Sequence, residues 1–99
     1  MPDYAVIVED PAITDVEEAY LHIKKEAPLS AERWFNRLFK AIYSLESMPF
    51  RCPLAPENDV FDEEIRHLIF GSYRIIFTVS HKAVYVLHIR RAARRPLEP

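Results

Sequence analysis

Apolar and polar positions follow different rhythms along the chain. Residues 4–9 (YAVIVE) are β-branched and mostly apolar, which predicts a short strand. Asp10-Pro11 then supplies a helix start. Asp10 can accept from orphan amides, and Pro11 suits the first helical position because its missing N–H had no partner there. Ile13, Val16, Tyr20, Ile23 and Ala27 follow at three- and four-residue spacing as one apolar stripe, with Glu17, Glu18, Lys24 and Lys25 opposite. Pro28 stops this helix, and Ser30 is the candidate N-cap of a second. Trp34, Leu38, Ala41, Ile42, Leu45 and Met48 form its predicted buried face, Phe35 and Phe39 widen it, and Pro49 ends it. The aromatic cluster reads as core rather than as a binding patch. The short Pro-Leu-Ser link predicts an antiparallel helical hairpin.

Residues 49–64 are proline-broken, acidic and without periodicity, which predicts a surface loop. Three strands follow, at 65–70, 73–79 and 83–90. Gly71-Ser72 is a glycine-first hairpin turn, and Ser80-His81-Lys82 turns the chain again. The order β-α-α-β-β-β gives an α+β fold, a helical hairpin packed on an antiparallel sheet, within a single domain of residues 1–99. The other sheet face is expected to stay open. Strand parity places His67, Ile69, Arg74, Ile76 and Thr78 on one face. Arg66, Leu68, Phe70, Tyr73, Ile75 and Phe77 lie on the other, against the helices, with Arg66 reaching the edge. In the last strand, parity groups Val84, Val86, His88 and Arg90 against Tyr85, Leu87, Ile89 and Arg91.

Charge sharpens the picture of the last third. Residues 1–64 carry 6 Lys and Arg against 14 Asp and Glu, whereas residues 65–99 carry 7 against 1. The formal net charge of −2 therefore hides a polarised chain, and its C-terminal part suits an anionic partner. The composition, 49% hydrophobic and 28% charged, is that of a globular protein. A single cysteine, Cys52, excludes an intrachain disulfide and reads as an ordinary loop thiol. No apolar run approaches the roughly 20 residues of a membrane span. The N-terminus lacks signal-peptide features, so a soluble, cytoplasmic protein is expected.

The candidate chemistry is a shallow basic site made by Arg74, His67, His88 and the arginines at 90–95. Arginine can fork onto a phosphate or stabilise developing negative charge, and histidine can move a proton near neutral pH. The same arginines can instead be solvated or paired with the acidic loop at 57–64. No glycine-rich phosphate loop, paired cysteines or HExxH is present, and the 4 histidines lack ligand spacing, so neither a metal nor a cofactor is expected. His22 reads as a solvent-facing helix residue and His81 as a turn residue.

DPAITDVEEAYLHI, AERWFNRLFKAIYSLESMP, and above all EIRHLIFGSYRIIFTV followed by AVYVLHIRRAARR together resemble the RelE/ParE superfamily. These are the toxins of type II toxin–antitoxin modules, including plasmid stabilisation proteins. The resemblance covers almost the whole chain. It implies a bacterial growth inhibitor, a cognate small acidic antitoxin as partner, and assembly as a homodimer or as a heterotetramer with that antitoxin. RelE-like members cut ribosome-bound messenger RNA without a metal, and ParE-like members poison DNA gyrase. On a nuclease reading, Arg74 and Arg94 would stabilise charge on the phosphate, and His67 or His88 would move the proton. On either reading Arg66, Arg74, His88, Arg90, Arg91, Arg94 and Arg95 are the candidate target- or antitoxin-binding residues. Relatives often carry His-Gly-x-Arg where this chain has Arg91-Ala92-Ala93-Arg94, and nuclease members often carry a C-terminal tyrosine and a strongly basic composition. This chain ends at Pro99 without that tyrosine and has a pI near 6.1. The expectation is therefore a ParE-like gyrase poison. The alternatives are a RelE-like metal-independent endoribonuclease and a non-toxic member that keeps only antitoxin binding.

Overall fold

The computed structural model describes residues 3–97; Met1, Pro2, Glu98 and Pro99 of the expected 1–99 domain lie outside it. The elements are β1 (Ala5–Val8), α1 (Asp10–Glu26), α2 (Pro28–Tyr43), β2 (Ile65–Phe70), β3 (Tyr73–Ser80) and β4 (Ala83–Arg91). Both helices pack on one face of a four-stranded sheet of order β1-β4-β3-β2. The predicted meander β2-β3-β4 is antiparallel, and β1 joins β4 in parallel, so the whole sheet is mixed.

The helix boundaries follow the prolines more closely than the expected caps. Glu9, extended at φ −71° and ψ 156°, precedes α1, so Asp10 lies inside the first turn, where its charge favours the helix N-terminus. Pro28 both ends α1 and starts α2. Proline needs no N–H at a first helical position, so Ala27 alone makes the hinge and Ser30 falls inside the helix rather than capping it. In α1 the fully buried residues are Ala12 and Val16, while Ile13 is 42% exposed. In α2 and the turn after it, Leu38, Ile42 and Leu45 are buried, but Met48 is 71% exposed. Met48 follows a turn at Ser44–Glu46 and takes a left-handed φ of 48°, so it has left the helical stripe. These residues meet Tyr73, Ile75, Phe77, Val84, Val86 and Ile89 of the sheet in one core.

The β2–β3 register is the one parity predicts, with Phe70 opposite Tyr73, Ile69 opposite Arg74 and His67 opposite Ile76. The uniform parity expected of β4 fails at one point. Ile76 pairs with His88 and Phe77 with Val86, which leaves Leu87 as the extra residue of a bulge. Val84, Val86 and Ile89 consequently all face the helices, while Leu87 joins Ile65, Ile76 and Ala55 on the other face.

That other face is not open. Residues 49–64 form short turns, and Leu54 bridges to Arg66 beside β2. Ala55 and Phe61 then lie over Ile65 and Ile76, joined by Leu97 from the C-terminal segment. The segment expected to be a surface loop is thus a lid on the sheet, held by apolar burial.

Candidate functional site

Two places hold the sequence-predicted residues, one on each face of the sheet. Beneath the lid, Arg74 on β3 is 5% exposed and Glu57 is 1% exposed. Arg74 Nη1 donates to Glu57 Oε1 at 2.9 Å and Nη2 to Oε2 at 2.8 Å, a two-pronged charge-assisted pair. The Glu57 carboxyl is lowered to about 2, mainly by its hydrogen bonds from Arg74. Glu57 Oε2 also accepts from the backbone N–H of Leu97 at 2.9 Å, so one carboxylate ties β3 to the C-terminal segment.

His67 Nδ1 lies 3.2 Å from Arg74 Nη1. A guanidinium can only donate, so Nδ1 accepts and the ring proton sits on Nε2. Burial first, and the neighbouring Arg74 charge second, push the His67 pKa down, so the ring is neutral at pH 7. The expected openness of this face is therefore corrected. Arg74 and His67 are brought together, but the guanidinium is already engaged by an internal carboxylate.

The second place lies between α1 and the end of β4. β1 ends opposite Val86, so the next stretch of β4 has no strand on that side. Asp15 takes over: its Oδ2 accepts from the Ile89 N–H at 3.0 Å and from His88 Nδ1 at 2.9 Å. Beyond this contact a cleft of about 270 Å³ opens, lined by Asp15, Glu18 and His22 of α1, Tyr73 of β3, and Arg90, Arg91 and Arg94. Arg90 Nε donates to the Arg95 carbonyl at 3.0 Å, which helps to fold the segment back. Arg91, Arg94 and Arg95 are exposed. Arg94 thus lines a cleft on the helix side, whereas Arg74 lies under the lid on the opposite face.

The remaining candidates lie elsewhere. Arg66 on the edge strand donates to the Cys52 carbonyl at 2.6 Å and to Glu64 at 2.8 Å, with its guanidinium 5.2 Å from the Phe50 ring centre. Its buried Nε has no partner. Cys52 itself is buried, and that burial raises its thiol pKa, the state of an unreactive thiol. His88 also borders an apolar cavity of about 300 Å³ under the lid, with Phe61, Leu87 and Leu97. Among the described residues no group of His, Cys, Asp and Glu could hold a metal ion, and no helix is long and apolar enough to cross a membrane.

Sequence reasoning missed Glu57, Asp15, Glu18 and Tyr73 as site residues. The spacing of Asp15, Glu18 and His22 already placed them on one helical face. Nothing in the sequence said that β4 would run under that face.

Comparison with known proteins agrees with this architecture. Residues 6–96 match the family described as ParE toxin of type II toxin-antitoxin system, parDE. A search of the curated proteins finds no match. Among solved structures, one from the chromosomal ParDE TA system of P. aeruginosa is similar with a TM-score of 0.75 at 17% identity, covering 92% of this chain and 98% of that one. The archaeal RelE-RelB complex from Pyrococcus horikoshii OT3 gives a chain with a TM-score of 0.58 at 16% identity, covering 94% of this chain and 99% of that one.

Proposed function

This chain belongs to the ParE toxins of type II toxin–antitoxin systems, and we propose that it poisons DNA gyrase through a protein contact made by its arginine-rich C-terminal end. The observation that carries this reading is the burial of Arg74. Both of its terminal nitrogens are held by Glu57 under the lid, while Arg91, Arg94 and Arg95 stand exposed at the end of the sheet. Cutting RNA requires a phosphate to reach arginine and a proton-transfer group together. An inhibitory contact needs only a complementary surface, and exposed arginines are frequent anchors of such surfaces. In this reading a cognate acidic antitoxin neutralises the protein by covering the same end, in the cytoplasm of a bacterium.

The second reading, a metal-independent endoribonuclease, draws on a different observation. The cleft that holds Arg91 and Arg94 is also lined by Tyr73 and His22, so a phenol and an imidazole stand among free arginines. If message is cleaved, the reacting groups belong there rather than at His67 and Arg74.

Inducing the protein in cells separates the two. The gyrase reading expects a DNA-damage response with filamentation and an intact reporter message. Prompt codon-phased cleavage of the message without a damage response would overturn it.

A further inference from the structure

The cleft beside α1 has walls of opposite sign. Glu18 on α1 and Arg91 and Arg94 at the end of the sheet line the same volume of about 270 Å³. Asp15, the other acidic residue of that wall, is already occupied by the Ile89 N–H and His88. The side chains of Glu18, Arg91 and Arg94 are exposed, and none makes a hydrogen bond or ion pair with another described residue. One cleft therefore holds unpartnered charge of both signs. A polyanion such as nucleic acid would be drawn to one wall and repelled by the other. A peptide carrying both signs satisfies both walls, and misplaced like charges reject other partners.

We propose that this cleft docks a segment of the antitoxin that presents a carboxylate to Arg91 and Arg94 and a cationic side chain to Glu18. The inference rests on the reading of the chain as an antitoxin-neutralised toxin, and it narrows the partner from acidic to two-signed at this contact.

The test uses the full chain and the product of the reading frame adjacent to its gene as the probe. Affinity is measured by calorimetry for the wild type, Glu18→Lys and Arg94→Glu, with thermal melts as folding controls. Both side chains are exposed, so melting temperatures should match the wild type. Each reversal should weaken binding by about tenfold or more. The sign of the Glu18→Lys effect is decisive. Tighter binding would identify a site for anions alone and overturn the proposal, as would affinities unchanged by either reversal. Displacement of the antitoxin by low concentrations of inorganic phosphate at matched ionic strength would overturn it in the same way. If the wild type forms no complex at all, the toxin–antitoxin reading falls together with the proposal; if a complex forms and is indifferent to both reversals, only the proposal falls.

Discussion

Replacing Arg74 with Ala would leave the Glu57 carboxylate, 1% exposed, without its cation. Breaking a buried pair from one side costs about 3–5 kcal/mol, because the remaining charge stays desolvated. Arg74→Ala should therefore lose stability of that order in urea melts, and any loss of toxicity in that variant reports unfolding rather than a lost target contact. The same pair sets an acid limit. Glu57 titrates at about 2 in the fold, below the ordinary glutamate value near 4.3. Its stabilisation is complete above the unfolded value and is lost as pH falls from about 4.3 towards 2, on the order of 3 kcal/mol in total. Denaturant melts across that window should show the loss, and Glu57→Gln should flatten that limb while being less stable at pH 7. The parity of Arg74 was legible from the turn at Gly71-Ser72, and an acidic partner in residues 57–64 was one of two readings. Which face the lid would cover was not legible, since proline-broken segments carry no periodicity to aim them.

Turns and helix joints were the most readable elements, because their residues act through local sterics. Gly71 has φ +57° and begins the turn that sets the β2–β3 register. A Cβ there would meet nothing within 4 Å, so Gly71→Ala carries only the backbone cost of a left-handed conformation, about 1–2 kcal/mol. Thermal melts should show that loss with antitoxin affinity unchanged. His81 holds a similar φ of 56° at the β3–β4 turn. There His81→Gly relieves strain but adds unfolded-state entropy, so a net change within about 1 kcal/mol is expected from the same melts. The bulge at Leu87 was beyond the sequence. Strand parity assumes two residues per repeat, and one extra residue reverses the remaining side chains without disturbing the apolar pattern that announces the strand. The bulge lies just past the point where β1 stops, and there Asp15 substitutes for a missing strand. An element boundary on one strand and a helix side chain seventy-odd residues away in sequence solve one problem, which is why local reading found neither.

At the scale of the whole molecule the charge is divided by chain position, and the fold uses the two signs differently. Part of the acidic excess is spent internally, Glu57 on Arg74 and Leu97, and Asp15 on β4. The basic excess is left largely outward at Arg91, Arg94 and Arg95. The division of charge was plain in the sequence; its partition between internal pairs and a surface depends on the lid and the bulge. It yields a prediction about rates. A localised basic patch steers an acidic partner over distances comparable to the Debye length, about 10 Å at 0.1 M salt. Replacing Arg91, Arg94 and Arg95 together with Gln should slow association with the antitoxin by about tenfold or more at low salt. The difference should collapse as salt is raised, because screening removes the advantage from the wild type while the variant has little to lose. Stopped-flow association at several ionic strengths measures both slopes. The melting temperature should stay put, since these side chains make no hydrogen bond or ion pair with other described residues. Equal rates and equal salt slopes for the two proteins would mean that the arginine end is only a solvated surface, and the proposed gyrase contact would lose its footing with it.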